Sequence, residues 1–199
     1  MDGRRLSKRR CAARSKPEAS EVNAIAAGAQ RRPSALPKAG ALGLRPWRAE
    51  DREAWIALFA DPEVLRFVGD GRVDQDRANA IFDRLMSLEI GPQQRFAFVY
   101  AAELDGEIVG HVELKQTEHT REQEWELVYV LARCAWGRGL GSALAKWGVR
   151  TAHAHRRRVI ATVASDNAAS LRILDRLGLA VVARVWEDTT LLLRERDAR

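Results

Sequence analysis

The sequence predicts a mixed α/β domain built on a mostly antiparallel central sheet with flanking helices. Three observations predict it. Asp105-Gly106 joins two apolar runs and is a hairpin signal. The run 124–131 leads into a glycine-rich turn and then a helix. Residues 159–186 read as strand, helix, strand. Hairpins followed by a strand–helix–strand unit give a mixed sheet covered by helices. At 199 residues and 46% hydrophobic content, the chain supports one domain with its own core.

Order is expected to begin near Leu44, with 44–48 as a short first strand and 1–43 as a disordered basic extension. Ala49-Glu50-Asp51 opens a helix whose Trp55, Leu58 and Phe59 follow helical spacing. Asp61-Pro62 ends it, and Asp61 caps a short second helix carrying Val64, Leu65 and Phe67. Asp70-Gly71 marks a turn. Asp74 then caps a helix with an apolar stripe of Ala78, Ile81, Phe82, Leu85 and Met86. After Gly91-Pro92 come strands at 96–102, 108–114 and 124–131, rich in aromatic and β-branched residues. The helix from Gly139 puts Leu140, Ala143, Leu144, Trp147, Thr151 and Ala154 on one face. A strand at 159–164 and a helix at 167–177 follow, the latter closed by Gly178. A final hairpin pairs 181–186 with 189–193 around Glu187-Asp188.

The net charge of +6 divides unevenly. Residues 1–43 carry +7 and the remainder −1, so the folded part is close to neutral and no nucleic-acid partner is expected. No apolar run is long enough to span a bilayer, and none follows the basic N-terminus as a secretory signal would require. A cytoplasmic protein without membrane contact is expected. Cys11 and Cys134 lack partners at metal-ligand spacing, so neither a metal nor a disulfide is expected.

The chemistry centres on Trp136-Gly137-Arg138-Gly139-Leu140-Gly141. Glycine lets backbone approach a ligand closely, and a helix start offers unpaired N–H groups with a partial positive charge. Together they suit a diphosphate, with Arg138 adding a cation at the rim. Ser142-Ala143 does not supply the Lys-Ser/Thr of a P-loop. The Gly-x-Gly-x-Gly spacing, late in the chain and behind hairpins, also departs from a dinucleotide fingerprint. Spacing alone leaves open a tightly packed turn that binds nothing.

The set Glu126-Leu127-Val128-Tyr129-Val130-Leu131, the glycine turn, Asn167-x-x-Ser170 and Gly178-Leu179 resembles the GCN5-related N-acetyltransferase (GNAT) superfamily. Leu44-Arg45-Pro46 and Asp61-Pro62-Glu63-Val64 further resemble its branch of ribosomal-protein N-terminal acetyltransferases. The resemblance spans residues 44–196 and implies a splayed strand pair in the sheet. It implies acetyl-CoA as cosubstrate, its diphosphate held by backbone N–H groups of Gly137, Arg138, Gly139, Leu140, Gly141 and Ser142. Trp136 stands where the superfamily often has Gln or Arg, a mild departure. Backbone groups near Tyr129, Val130 and Leu131 are implied to pair with the pantetheine arm, and Asn167 and Ser170 to lie beside the cofactor.

A protonated amine cannot attack a thioester, so a base is needed. The resemblance puts Glu126 in that role, with Glu124 and Glu113 as weaker candidates; position alone favours a surface acid. The superfamily tyrosine seven residues after Asn167 is replaced by Leu174, leaving Ser170 or Tyr129 as possible acids. Asn167 also reads as an N-cap, His111 as a packed residue, and Trp55, Trp125 and Trp147 as core. His153, His155 and Arg156–Arg158 suit a helix C-terminus, although an arginine there could reach the cofactor's 3′-phosphate. The expected partner is an amine acceptor, either a protein N-terminus or a small molecule, met by a monomer or homodimer. A non-catalytic acyl-CoA-binding or sensing module is the alternative.

Overall fold

The computed structural model describes residues 42–68, 74–186 and 189–196. Seven strands form one sheet in the order β1-β2-β3-β4-β5-β7-β6. They are β1 Leu42–Arg45, β2 Phe96–Leu104, β3 Glu107–Lys115, β4 Glu124–Leu131, β5 Arg158–Ala164, β6 Leu179–Val185 and β7 Thr190–Glu195. Five helices join them: α1 Arg52–Phe59, α2 Pro62–Leu65, α3 Gln75–Met86, α4 Leu140–Ala154 and α5 Ala168–Arg176. All strand neighbours are antiparallel except β4 and β5. The mostly antiparallel mixed sheet is thus as the sequence predicts.

Local chemistry accounts for most boundaries. Asp105 and Gly106 both adopt positive φ, 53° and 86°, as a tight hairpin turn demands. Asp61 accepts from the Glu63 N–H and Asp74 from the Arg77 N–H, so both act as N-caps. The first strand starts at Leu42, two residues before the expected position. The expected Asp70-Gly71 turn and the Glu187-Asp188 tip lie outside the described residues.

Two side-chain readings need correction. On α3, Ala78, Phe82 and Leu85 are buried, but Ile81 and Met86 are 41% and 38% exposed. The helix borders a cleft, and its stripe is wider than the surface it packs on. On α4 the buried residues are Leu140, Leu144, Ala145, Trp147, Gly148 and Ala152. The buried face is thus rotated away from Ala143, Thr151 and Ala154.

Strand alternation sorts the core onto the two sheet faces. Trp125 and Leu127 of β4 face α4 and α5 and join Leu144, Trp147 and Leu174 in the main cluster. At Gly148 an added Cβ would stand 2.5 Å from Leu127 Cδ1, so α4 presses onto β4 so closely that a side chain there would displace Leu127. On the other face Trp47, Trp55, Phe82 and Leu85 pack over β2, with Trp47 and Trp55 edge-to-face at 5.0 Å.

Candidate active site

The site begins where two parallel strands part. Glu124, Trp125 and Glu126 of β4 pair with Arg158, Val159 and Ile160 of β5, and pairing stops there. Beyond Ile160, β5 runs on against β7, while β4 continues to Leu131 against β3. The strands therefore form a fork with Glu126 at its vertex. Ala132 donates its N–H to Val109 O at 2.9 Å, which fixes the hydrogen-bonding parity of the β3–β4 ladder. By that alternation Val128 and Val130 spend their backbone groups on β3, and those of Leu127, Tyr129 and Leu131 face the gap.

The fork opens onto the glycine turn. Gly137 and Gly139 have φ of 72° and 78°, and a Cβ added at either would meet no protein atom within 4 Å. Gly139 is the N-cap of α4 in left-handed conformation, without a side-chain cap. The first-turn N–H groups of α4 thus have no partner within the helix, and Gly139, Leu140, Gly141 and Ser142 line the cleft. A cradle open at the glycines and continuous with the fork fits the diphosphate and extended arm of a coenzyme A thioester. Gly141 differs: its Cβ would lie 3.3 Å from Ile173 Cδ1, so its smallness serves packing of α4 on α5. The indole N–H of Trp136, 43% exposed, donates to Leu131 O at 2.8 Å and ties the turn to the end of β4.

A cleft of about 1310 Å³ joins fork, turn and the α1–α3 side. Glu126, Tyr129, Val130, Leu131, Trp136, Gly137, Gly139, Leu140, Gly141, Ser142, Asn167 and Ser170 line it. Arg138 does not: its side chain is exposed outside the lining, leaving only its backbone at the cradle. The Val130 backbone is turned to β3 and the Leu131 carbonyl is taken by Trp136. The expectation of three consecutive residues pairing with the arm therefore narrows to Tyr129 and the Leu131 N–H. Asn167 Oδ1 accepts from the Ser170 N–H at 3.1 Å, the N-cap role its sequence position suggested.

The partners of three acids set them apart. Glu113 accepts from Lys115 Nζ at 2.5 Å, with His111 Nε2 3.4 Å away. Burial pushes its carboxyl up, but His111 and Lys115 outweigh burial and hold it at about 2. His111 is itself buried and accepts from the Trp47 indole at Nδ1, 3.1 Å, which places its proton on Nε2. For Glu124, burial acts upward again, and the Arg194 guanidinium with the Arg121 N–H brings the carboxyl below its ordinary range. Glu126 is 4% exposed and accepts from the Thr162 hydroxyl at 2.5 Å. Among the described residues no cation is paired with it. Thr162, the one hydroxyl residue within β5, was not singled out from sequence.

On the opposite face, burial raises the Tyr129 phenol, and its interaction with the Ser170 side chain pulls back against that rise. Glu126 and Tyr129 differ by three positions and so project to opposite sides of the sheet. The cluster after α4 is engaged in local contacts. Arg157 donates to Glu122 O, Arg158 to Glu195 O, and His153 contacts Glu195 at 2.8 Å. These residues sit at the far end of the fifteen-residue α4, roughly 20 Å from the glycine turn. Cys134 is exposed. Among the described residues there is no His/Cys/Asp/Glu group able to hold a metal ion, and no helix long and apolar enough to cross a membrane.

Comparison with known proteins gives the same architecture. Solved structures similar to this chain include a GNAT-family acetyltransferase from Bacillus anthracis, with TM-score 0.63 and 18% identity over 80% of this chain and 95% of that one. RimJ of Mycobacterium smegmatis, in complex with CoA-disulfide, aligns with TM-score 0.65 and 23% identity over 78% and 81%. Spermidine N-acetyltransferase from Vibrio cholerae, in complex with CoA and spermine, gives 0.62 and 13% over 77% and 92%. At these identities the likeness is one of fold. The family model of the acetyltransferase (GNAT) domain matches residues 41–180, a stretch containing both fork and turn. The chain belongs to the GNAT acetyltransferase family.

Proposed function

We propose that the chain transfers an acetyl group from acetyl-CoA to a primary amine, on a protein N-terminus or a small molecule, by direct attack. The observation that carries this reading is the continuity of the β4–β5 fork with the glycine turn of α4, with the buried Glu126 side chain, held by Thr162, at the vertex.

Backbone N–H groups from Gly137 to Ser142 hold the diphosphate, and the Tyr129 backbone pairs with the pantetheine arm in the gap. Bound there, acetyl-CoA supplies an acyl thioester. Glu126 takes a proton from the incoming ammonium, directly or through one water. As the C–N bond forms and the C–S bond breaks, the nitrogen gives up its second proton to water in the cleft and the sulfur gains one. A backbone N–H facing the gap steadies the oxygen on which negative charge develops. Tyr129 and Ser170 stand on the other side of the sheet from Glu126, which separates proton donation to the departing sulfur from proton removal at the amine. Tyr129 or Ser170 is the donor in this scheme, and burial raises the Tyr129 phenol.

Titration calorimetry with acetyl-CoA, against NAD and ATP, tests the cradle. Selective acetyl-CoA binding is expected. Glu126→Gln tests the chemistry: affinity is retained and turnover lost. Wild-type protein that binds acetyl-CoA but acetylates no amine would be the non-catalytic acyl-CoA-binding module instead.

A further inference from the structure

The acceptor side of the cleft carries a charge pattern that selects among amines. We infer that the acceptor bears a carboxylate two or three residues' length from its amine, as an acidic peptide N-terminus does. This rests on the acetyl-transfer reading above.

Glu126 faces the α1–α3 side, where Lys115 stands directly opposite it in the β3–β4 pairing and Phe96 opposite Lys115 in the β2–β3 pairing. Lys115 Nζ and the Arg95 guanidinium lie 5.9 and 5.8 Å from the Phe96 ring centroid. Phe96 is thus two strand spacings from the vertex, about 10 Å, and the Arg95 guanidinium lies beside its ring. Arg77, Ile81 and Arg84 of α3, and Leu88 just past its end, line the cleft. Arg84 and Arg95 are exposed, and among the described residues no acid is paired with either.

Two of the other lining acids are engaged by cations. Glu113 is held by Lys115, and Asp166 by Arg66 at 2.6 Å. Glu118 is 67% exposed beside His119. Among the described lining residues, Glu126 is the one buried acid without a cationic partner, and it is spent on the reacting amine. On the side toward α3, a polycationic acceptor therefore meets Arg84 and Arg95, and the exposed lining acid Glu118 lies beyond β3. An extended peptide advances about 3.3–3.6 Å per residue, so with its amine at Glu126 a carboxylate at its second or third residue reaches the Arg95 end of the cleft, which Arg84 also lines.

The test compares acetylation of Ala-Glu-Glu-Ala, Ala-Gln-Gln-Ala and Ala-Lys-Lys-Ala amides, free glutamate and spermidine, with acetyl-CoA at saturation. The expected kcat/KM order is Glu, then Gln, then Lys, with an acidic-over-basic ratio of about tenfold that shrinks with added salt. Arg84→Glu combined with Arg95→Glu inverts that order, through KM, while acetyl-CoA affinity by calorimetry is unchanged. Comparison of the acidic peptide with free glutamate distinguishes a chain terminus from a small molecule. Preference for the lysine peptide or spermidine, or indifference to charge, overturns the inference. The acidic peptide's binding to CoA-loaded protein is measured separately. Binding without acetylation of any acceptor defeats the acetyl-transfer reading and keeps the anion dock; absence of binding defeats the dock.

Discussion

Thr162 Oγ1 donates to Glu126 Oε1 at 2.5 Å across the two strands that part immediately beyond Glu126. The bond joins β5 to β4 at the vertex of the fork and aims the carboxylate. Thr162→Val keeps the side-chain shape and removes the donor. A hydrogen bond to a charged group contributes about 1.5–3 kcal/mol. The variant is therefore expected to lose roughly ten- to a hundredfold in kcat with acetyl-CoA affinity unaltered, and Thr162→Ser is expected to restore most of it. Steady-state kinetics on both variants decide the matter, and unchanged kcat in the valine variant would remove Thr162 from the site.

Gly139 combines positive φ with open space beyond its Cα. A side chain there is strained by the backbone angle, at about 1–3 kcal/mol, and also occupies the volume a diphosphate must enter. Gly139→Val is expected to weaken acetyl-CoA binding by more than tenfold in calorimetry. Its thermal midpoint is expected to fall by only a few degrees, since no protein atom lies in the way.

The Glu113–Lys115 pair makes stability depend on pH in a stated direction. The Glu113 carboxyl is held at about 2 against an ordinary value of 4.5, so folding favours its ionised form. Its contribution is complete above the ordinary value and is lost as pH falls from there toward 2. The difference corresponds to no more than about 3 kcal/mol. Lys115→Met is expected to destabilise the protein near neutrality and to flatten the pH dependence between about 4.5 and 2. Urea denaturation at a series of pH values measures both.

What the sequence made legible was local. The turn at Asp105-Gly106, the strand at 124–131 and the caps Asp61, Asp74 and Asn167 each depend on a few adjacent residues, and the structure has them where the pattern placed them. The insertion of β7 between β5 and β6 was not legible, because strand order is decided by distant partners. The point where β4 and β5 separate was implied by family resemblance and by nothing in the residues themselves. Glu126 shows the same limit. On its strand it reads as a surface acid, yet it is 4% exposed, because the sheet and helices close around it. Thr162 becomes visible only once β5 lies beside β4. The exposure of Ile81 likewise follows from a cleft that no single helix encodes.

Trp136 gives the last prediction. Its indole is partly exposed, so little stability comes from its burial, but its N–H holds the Leu131 carbonyl at 2.8 Å and fixes the approach from β4 to the glycine turn. Trp136→Phe keeps an aromatic ring and deletes that donor. One such bond has a net value of about 1 kcal/mol, so acetyl-CoA affinity is expected to fall by roughly three- to tenfold as the amides lose their fixed aim. Global stability by denaturant is expected to change by less than about 1 kcal/mol. A loss of affinity without loss of stability separates an organiser of the cradle from a core residue. A variant that unfolds early and binds normally would show the opposite role.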